Sequence, residues 1–109
     1  MVTDAMPSVG TEDKSFQLQG RRISVSDGIC VDENGVLAGS DLDMASAVRN
    51  AMALMGVDLP TAIRMASRVP AEFLGLGHEL GRIAPGYRAD LVQLSDGIEA
   101  ERSWIGGEI

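Results

Sequence analysis

Apolar and polar positions alternate near both ends of the chain and recur at three- and four-residue steps between them, which predicts strands flanking helices. Ile23 and Val25 alternate with polar neighbours in Arg22-Ile23-Ser24-Val25-Ser26, as in a half-buried strand. Asp27-Gly28 and Asn34-Gly35 bracket Ile29-Cys30-Val31-Asp32, and both dipeptides suit the positive φ angles of tight hairpin turns. An antiparallel meander is therefore expected from about Ser15 to Leu37. Ahead of it, Met1-Val2-Thr3-Asp4-Ala5 reads as the end of a strand that opens into a loop at Pro7 and Gly10, with Asp4 at the strand's C-terminal tip.

Beyond Gly39 the period becomes helical. Leu42, Ala45, Val48, Ala51, Met52 and Met55 line one face of a helix predicted over 41–55, with Ser40 and Asp43 at capping-box spacing and Gly56 as its stop. Asp58 and Pro60 open a second helix, and Pro70 begins a short third one through Leu74. Met44, Met52, Met55 and Met65 read as core packing between these helices. Ala89 to Leu94, led in by the turn Pro85-Gly86, and Ile98 to Ile105 are expected to pair as a terminal hairpin. The fold class expected for the chain as it stands is α+β.

Composition narrows the function classes. Hydrophobic residues make up 45% of the sequence and charged ones 23%, which is too apolar for a disordered tail. No apolar run approaches the roughly 20 residues of a membrane span, and Met1-Val2-Thr3-Asp4 lacks the pattern of a signal peptide, so no membrane association and a cytoplasmic location are expected. With a net charge of −7 and scattered Lys and Arg, the chain has no basic stripe to follow a phosphate backbone, and nucleic acid is not an expected partner. Cys30, the single cysteine, reads as a small buried hydrophobe between Ile29 and Val31, and His78, the single histidine, as a loop residue. A metal centre built from this chain alone would have to use carboxylates and water. Arg49, Arg64 and Arg68 read as solvated or ion-paired helix flanks.

Four segments, in this order, resemble one family. They are Val2-Thr3-Asp4-Ala5, Asp27-Gly28-Ile29-Cys30-Val31-Asp32-Glu33-Asn34-Gly35, Leu37-Ala38-Gly39-Ser40, and Leu80-Gly81-Arg82-Ile83-Ala84-Pro85-Gly86-Tyr87-Arg88-Ala89-Asp90-Leu91-Val92. The last is similar to a general ending of the amidohydrolase superfamily. The first three together resemble N-acetylglucosamine-6-phosphate deacetylase. The resemblance covers essentially the whole chain and implies the C-terminal part of a metal-dependent (β/α)₈ hydrolase barrel with part of its small β-sandwich. On that basis residues 1–80 are expected to belong to the barrel end and 81–109 to sandwich strands.

The resemblance further implies that Asp4 is the catalytic general base and acid and touches the metal region, as one member of an incomplete site. Leu37, Ala38 and Gly39 match a segment that contacts the amino-sugar phosphate substrate. The family uses a divalent metal, Zn or Fe, whose other ligands match nothing in this sequence, so the chain alone is expected to bind no metal and to be inactive. A helix start at Gly39-Ser40 would offer backbone N–H groups to a phosphate. Two alternatives stand beside this reading: a non-catalytic, self-associating fragment, with a homo-oligomer expected because a cut barrel leaves strand edges unpaired, and a segment of another superfamily enzyme of dihydroorotase-like type, against which the run Asp27 to Gly35 argues.

Overall fold

In the computed structural model, which describes residues 1–109, the strands lie at both ends of the chain and the helices between them. Strands β1 (Ser15–Leu18), β2 (Arg21–Ser26), β3 (Ile29–Asp32) and β4 (Leu37–Ser40) form an antiparallel sheet in chain order. Helices α1 (Met44–Met55), α2 (Leu59–Ala66) and α3 (Arg68–Phe73) follow, and β5 (Leu91–Leu94) pairs antiparallel with β6 (Ala100–Trp104). The α+β class is as expected. The chain divides into two compact units, residues 2–44 and residue 1 with residues 45–109.

In the first unit, turn chemistry fixes the register. Asp27 (φ 51°) and Gly28 (φ 79°) both take left-handed backbone, as the two central residues of a type I′ turn must. Ser26 consequently pairs with Ile29, and Ile23 with Asp32. Asn34-Gly35 works differently: only Gly35 has positive φ, and the Gly35 amide bonds the Asp32 carbonyl at 2.9 Å. The carboxylate of Asp32 explains the longer loop, since its Oδ1 accepts from the amides of Asn34 and Val36, both at 2.9 Å. Those bonds and Arg21 at 3.3 Å hold the Asp32 carboxyl below its ordinary pKa, the Val36 amide contributing most. Ile23 and Cys30 are buried on this sheet, so the reading of Cys30 as a small buried residue stands.

The sequence pattern does not reveal β4. Leu37-Ala38-Gly39-Ser40 pairs with β3 across a bulge between Cys30 and Val31, and α1 begins only at Met44. Ser40 is therefore a strand residue and not a helix cap; its hydroxyl donates to the Thr3 carbonyl and accepts from the Leu42 amide at 3.2 Å. The spacing that resembles a capping box arises from a serine committed to a strand.

In the second unit, Gly56 (φ 68°) closes α1 through its amide bond to the Met52 carbonyl at 3.1 Å. Asp58 caps α2 by accepting from the Thr61 amide at 3.0 Å, as its position before Pro60 predicts. The third helix starts two residues ahead of Pro70, directly after Ser67, whose hydroxyl bonds the Ile63 carbonyl at 2.7 Å. Val48, Ala51 and Ala62 form the core, with Met1, Met52, Val57, Ile63, Ala66 and Ile98 packed around it. Met52 and Met65 are partly buried, but Met44 and Met55 are exposed, so core packing does not hold for those two. The terminal hairpin is shorter than expected, because residues 89–90 and 98–99 serve as its approaches. No helix is long and apolar enough to cross a membrane.

Candidate functional site

Asp4 is not on a strand. The expected strand end at Met1 to Ala5 is reduced to one parallel bridge between Ala5 and Ser40. Around it the backbone is closely tied: the Ser40 amide donates to the Asp4 carbonyl at 2.9 Å, and the Met6 amide donates to the Ser40 carbonyl at 3.0 Å. Asp4 therefore lies against the end of β4, and not at the tip of a strand of its own as the sequence pattern predicts. Its φ is +54°, in the left-handed region that non-glycine residues seldom occupy and aspartate tolerates better than most. The residue is exposed and takes part in none of the five ion pairs of the fold.

Of the other candidate residues, Gly39 is buried, Ala38 half-buried and Leu37 exposed. Gly39 has φ +153°, and a Cβ at that position would lie 3.0 Å from the Asp4 carbonyl oxygen and 2.5 Å from Cγ of Met6. Only glycine lets the segment around Asp4 come this close to the strand. Asp4 is thus brought against Gly39 on the edge strand that also carries Leu37 and Ala38. The backbone N–H groups of 39–40 are not an anion site: the helix begins four residues later, and the Ser40 amide is already bonded.

The segment that follows Asp4 folds back through residues that nothing in the sequence singled out. Ser8 is 1% exposed, with its hydroxyl 3.7 Å from Sγ of Cys30. Lys14 Nζ donates to the Ser8 carbonyl at 2.9 Å and pairs with Asp41 Oδ2 at 2.8 Å. The Lys14 ammonium, followed by the Ser8 hydroxyl, lowers the Asp41 pKa, although Asp41 Oδ1 is buried with no hydrogen bond within 3.5 Å. Lys14 and Asp41 stand far apart in sequence, and no motif spacing links them.

A divalent metal does not fit these residues alone. No three His, Cys, Asp or Glu side chains converge, and His78 lies exposed in the turn 77–79, as expected of it. Asp4 would be a single ligand. Of the helix-flanking arginines, Arg68 pairs with Glu72 at 2.6 Å and Arg49 bonds the Ile98 carbonyl and, at 2.6 Å, the Ser46 hydroxyl.

Known proteins are similar to this chain in sequence and fold. A putative N-acetylgalactosamine-6-phosphate deacetylase of Escherichia coli K12 is 39% identical over all 109 residues, which span 65% of that protein. The N-acetylgalactosamine-6-phosphate deacetylase of Shewanella sp. ANA-3 is 44% identical over the whole chain, which spans 27% of it. The crystal structure of N-acetylglucosamine-6-phosphate deacetylase from Pasteurella multocida superposes with a TM-score of 0.90 at 34% identity, over 98% of this chain and 28% of that one. The chain thus spans less than two thirds of each of these proteins. The model of the amidohydrolase family, whose members are generally metal-dependent, matches residues 17–107, and with most of the sequence inside that match the chain belongs to the amidohydrolase family.

Proposed function

We propose that these residues contribute the proton-transferring carboxylate and part of the substrate floor of an N-acetylhexosamine-6-phosphate deacetylase. The supporting observation is the juxtaposition of exposed Asp4 with Gly39 through the Ser40 backbone bonds. Asp4 would take a proton from the water that attacks the acetamide carbonyl carbon. As the C–N bond breaks, it would return that proton to the amine, releasing acetate and the hexosamine 6-phosphate. Leu37, Ala38 and Gly39 would lie along the sugar. The family's metal, Zn or Fe, would be held by residues other than these, since Asp4 alone cannot form a centre. In that larger protein, residues 1–80 would complete the barrel end and 81–109 would supply sandwich strands.

For the substrate, N-acetylglucosamine 6-phosphate is the reading that the sequence resemblance favours. The C4 epimer, N-acetylgalactosamine 6-phosphate, is favoured by the 44% and 39% identities to deacetylases named for that sugar, against 34% for the Pasteurella enzyme. The test is acetate release from both epimers. The purified 109-residue chain with added Zn²⁺ is expected to release none, and turnover abolished by Asp4→Asn would show that this piece suffices. The same residues, grafted in place of their match in the Shewanella enzyme, should restore turnover; a folded, inactive graft would count against the assignment.

Exposed apolar side chains support self-association of the chain on its own. Leu54, Phe73 and Ile83 are 83%, 89% and 90% exposed, and burying such large apolar side chains against a second copy would be favourable. A homo-oligomer is expected by light scattering at micromolar concentration, and a stable monomer there would refute it.

A further inference from the structure

Lys14 and Asp41 flank opposite edges of one sheet, since Lys14 precedes β1, Asp41 follows β4, and the strand order is β1-β2-β3-β4. Each is anchored by its backbone. The Lys14 carbonyl accepts from the Val25 amide at 3.0 Å, and the Asp41 amide donates to the Gly28 carbonyl at 2.9 Å. Their side chains meet at 2.8 Å, so the pair ties the two edges together. What lies between Asp4 and Lys14 is therefore a loop fastened at both ends to residues 40 and 41. At its start, Ser40 holds the Asp4 carbonyl, the Met6 amide and, by its hydroxyl, the Thr3 carbonyl. At its end, Lys14 holds the Ser8 carbonyl and the Asp41 carboxylate.

The arrangement has an electrostatic cost that points to a purpose. The Asp41 side chain is only 14% exposed and its Oδ1 has no hydrogen-bond partner, so the carboxylate relies mainly on Lys14 for compensation. Lys14 sits nearer to water, at 44% exposure, and reaches inward to two acceptors at once. Asp4 meanwhile holds a left-handed backbone at φ 54°, which persists only when surrounding bonds over-determine it. The bonds that do so pass through Ser40, the immediate neighbour of Asp41.

We propose that the Lys14–Asp41 ion pair is a positioning clamp that holds the Thr3–Met6 segment against Ser40 and so fixes the direction in which Asp4 presents its carboxylate. This role rests on the reading of Asp4 as the proton-transferring group, and Lys14 and Asp41 themselves touch no reacting atom. Without the pair, the loop end detaches from β4, the Ser40 and Met6 amide bonds open more often, and Asp4 samples other backbone conformations.

The test uses two measurements on Lys14→Met. In the 109-residue chain, amide hydrogen exchange at Ser40 and Met6 should accelerate about tenfold, while amides of the β2–β3 ladder keep their rates, because local opening is governed by local bonds. In the grafted deacetylase, kcat should fall about tenfold with KM within twofold, as expected when orientation and not substrate affinity is lost. Lys14→Arg, which keeps the charge, should restore both. If Lys14→Met alone fails to fold, the neutral double variant Lys14→Met/Asp41→Asn carries the same measurements. Exchange at Ser40 and Met6 no faster than in the parent chain overturns the clamp, even if Asp4→Asn abolishes turnover. Full turnover after Asp4→Asn instead overturns the reading of Asp4, and the positioning role falls with it.

Discussion

Replacing Asp4 by asparagine in the grafted deacetylase is expected to lower kcat by about 10²–10⁴-fold, the range that a positioned general acid or base contributes. Asparagine keeps the size of the side chain and tolerates left-handed backbone, so φ +54° remains accessible and the Ser40 bonds persist. The substitution therefore isolates the carboxylate's proton chemistry from the fold. KM should move little. A variant retaining more than half of its turnover would remove Asp4 from the reaction, whereas a variant that also unfolds would point to a structural aspartate. Circular dichroism of the 109-residue chain carrying the same change separates these cases.

Gly39→Ala should be the most damaging single-methyl change in the strand. The added carbon would stand 2.5 Å from Cγ and 2.9 Å from Sδ of Met6, and 3.0 Å from the Asp4 carbonyl oxygen. Met6 can swing aside because its side chain is flexible, but the Asp4 carbonyl is backbone and already bonded to the Ser40 amide. The strained φ and the overpacking together cost about 1–3 kcal/mol. A urea midpoint lower by about 1 M with an unchanged slope is the expected reading. Gly35→Ala makes the natural comparison, since Gly35 has φ 77° but an added methyl there would meet no atom within 4 Å, so only the backbone strain applies. Equal losses at the two positions would show that the contact with Asp4 does not matter.

Much of the meander is legible from dipeptides. Asp27-Gly28 sets a two-residue turn because both residues accept positive φ, and the register of β2 on β3 follows from it. Asp58 before Pro60, Gly56 after Met55 and Pro85-Gly86 before the last hairpin announce their elements for the same local reason. The segment Leu37 to Ser40 is harder to read. Four residues containing an alanine and a glycine carry no alternation, and Ser40 with Asp43 imitates a helix start. Pairing with β3 decides it, and pairing depends on residues outside the segment.

The candidate site divides along the same line. Asp4 and the segment 37–39 can be named from their resemblance to a family, but neither their proximity nor its cause can be read from spacing. That proximity comes from the Asp4 and Met6 bonds to Ser40, across more than thirty positions. Lys14, Ser8 and Asp41 are invisible in the sequence, because a lysine and an aspartate carry no signal of being partners until the chain has closed.

By itself, then, the sequence determined what local conformational preference can determine: the turns, the helix ends and the alternating strands. The tertiary structure alone decided that residues 37–40 form a strand, that Asp4 lies against Gly39, and that a partly buried ion pair joins the two edges of the sheet. The physical reason is that backbone preferences act within a few residues, whereas pairing and ion contacts exist only once loop closure has brought distant residues together.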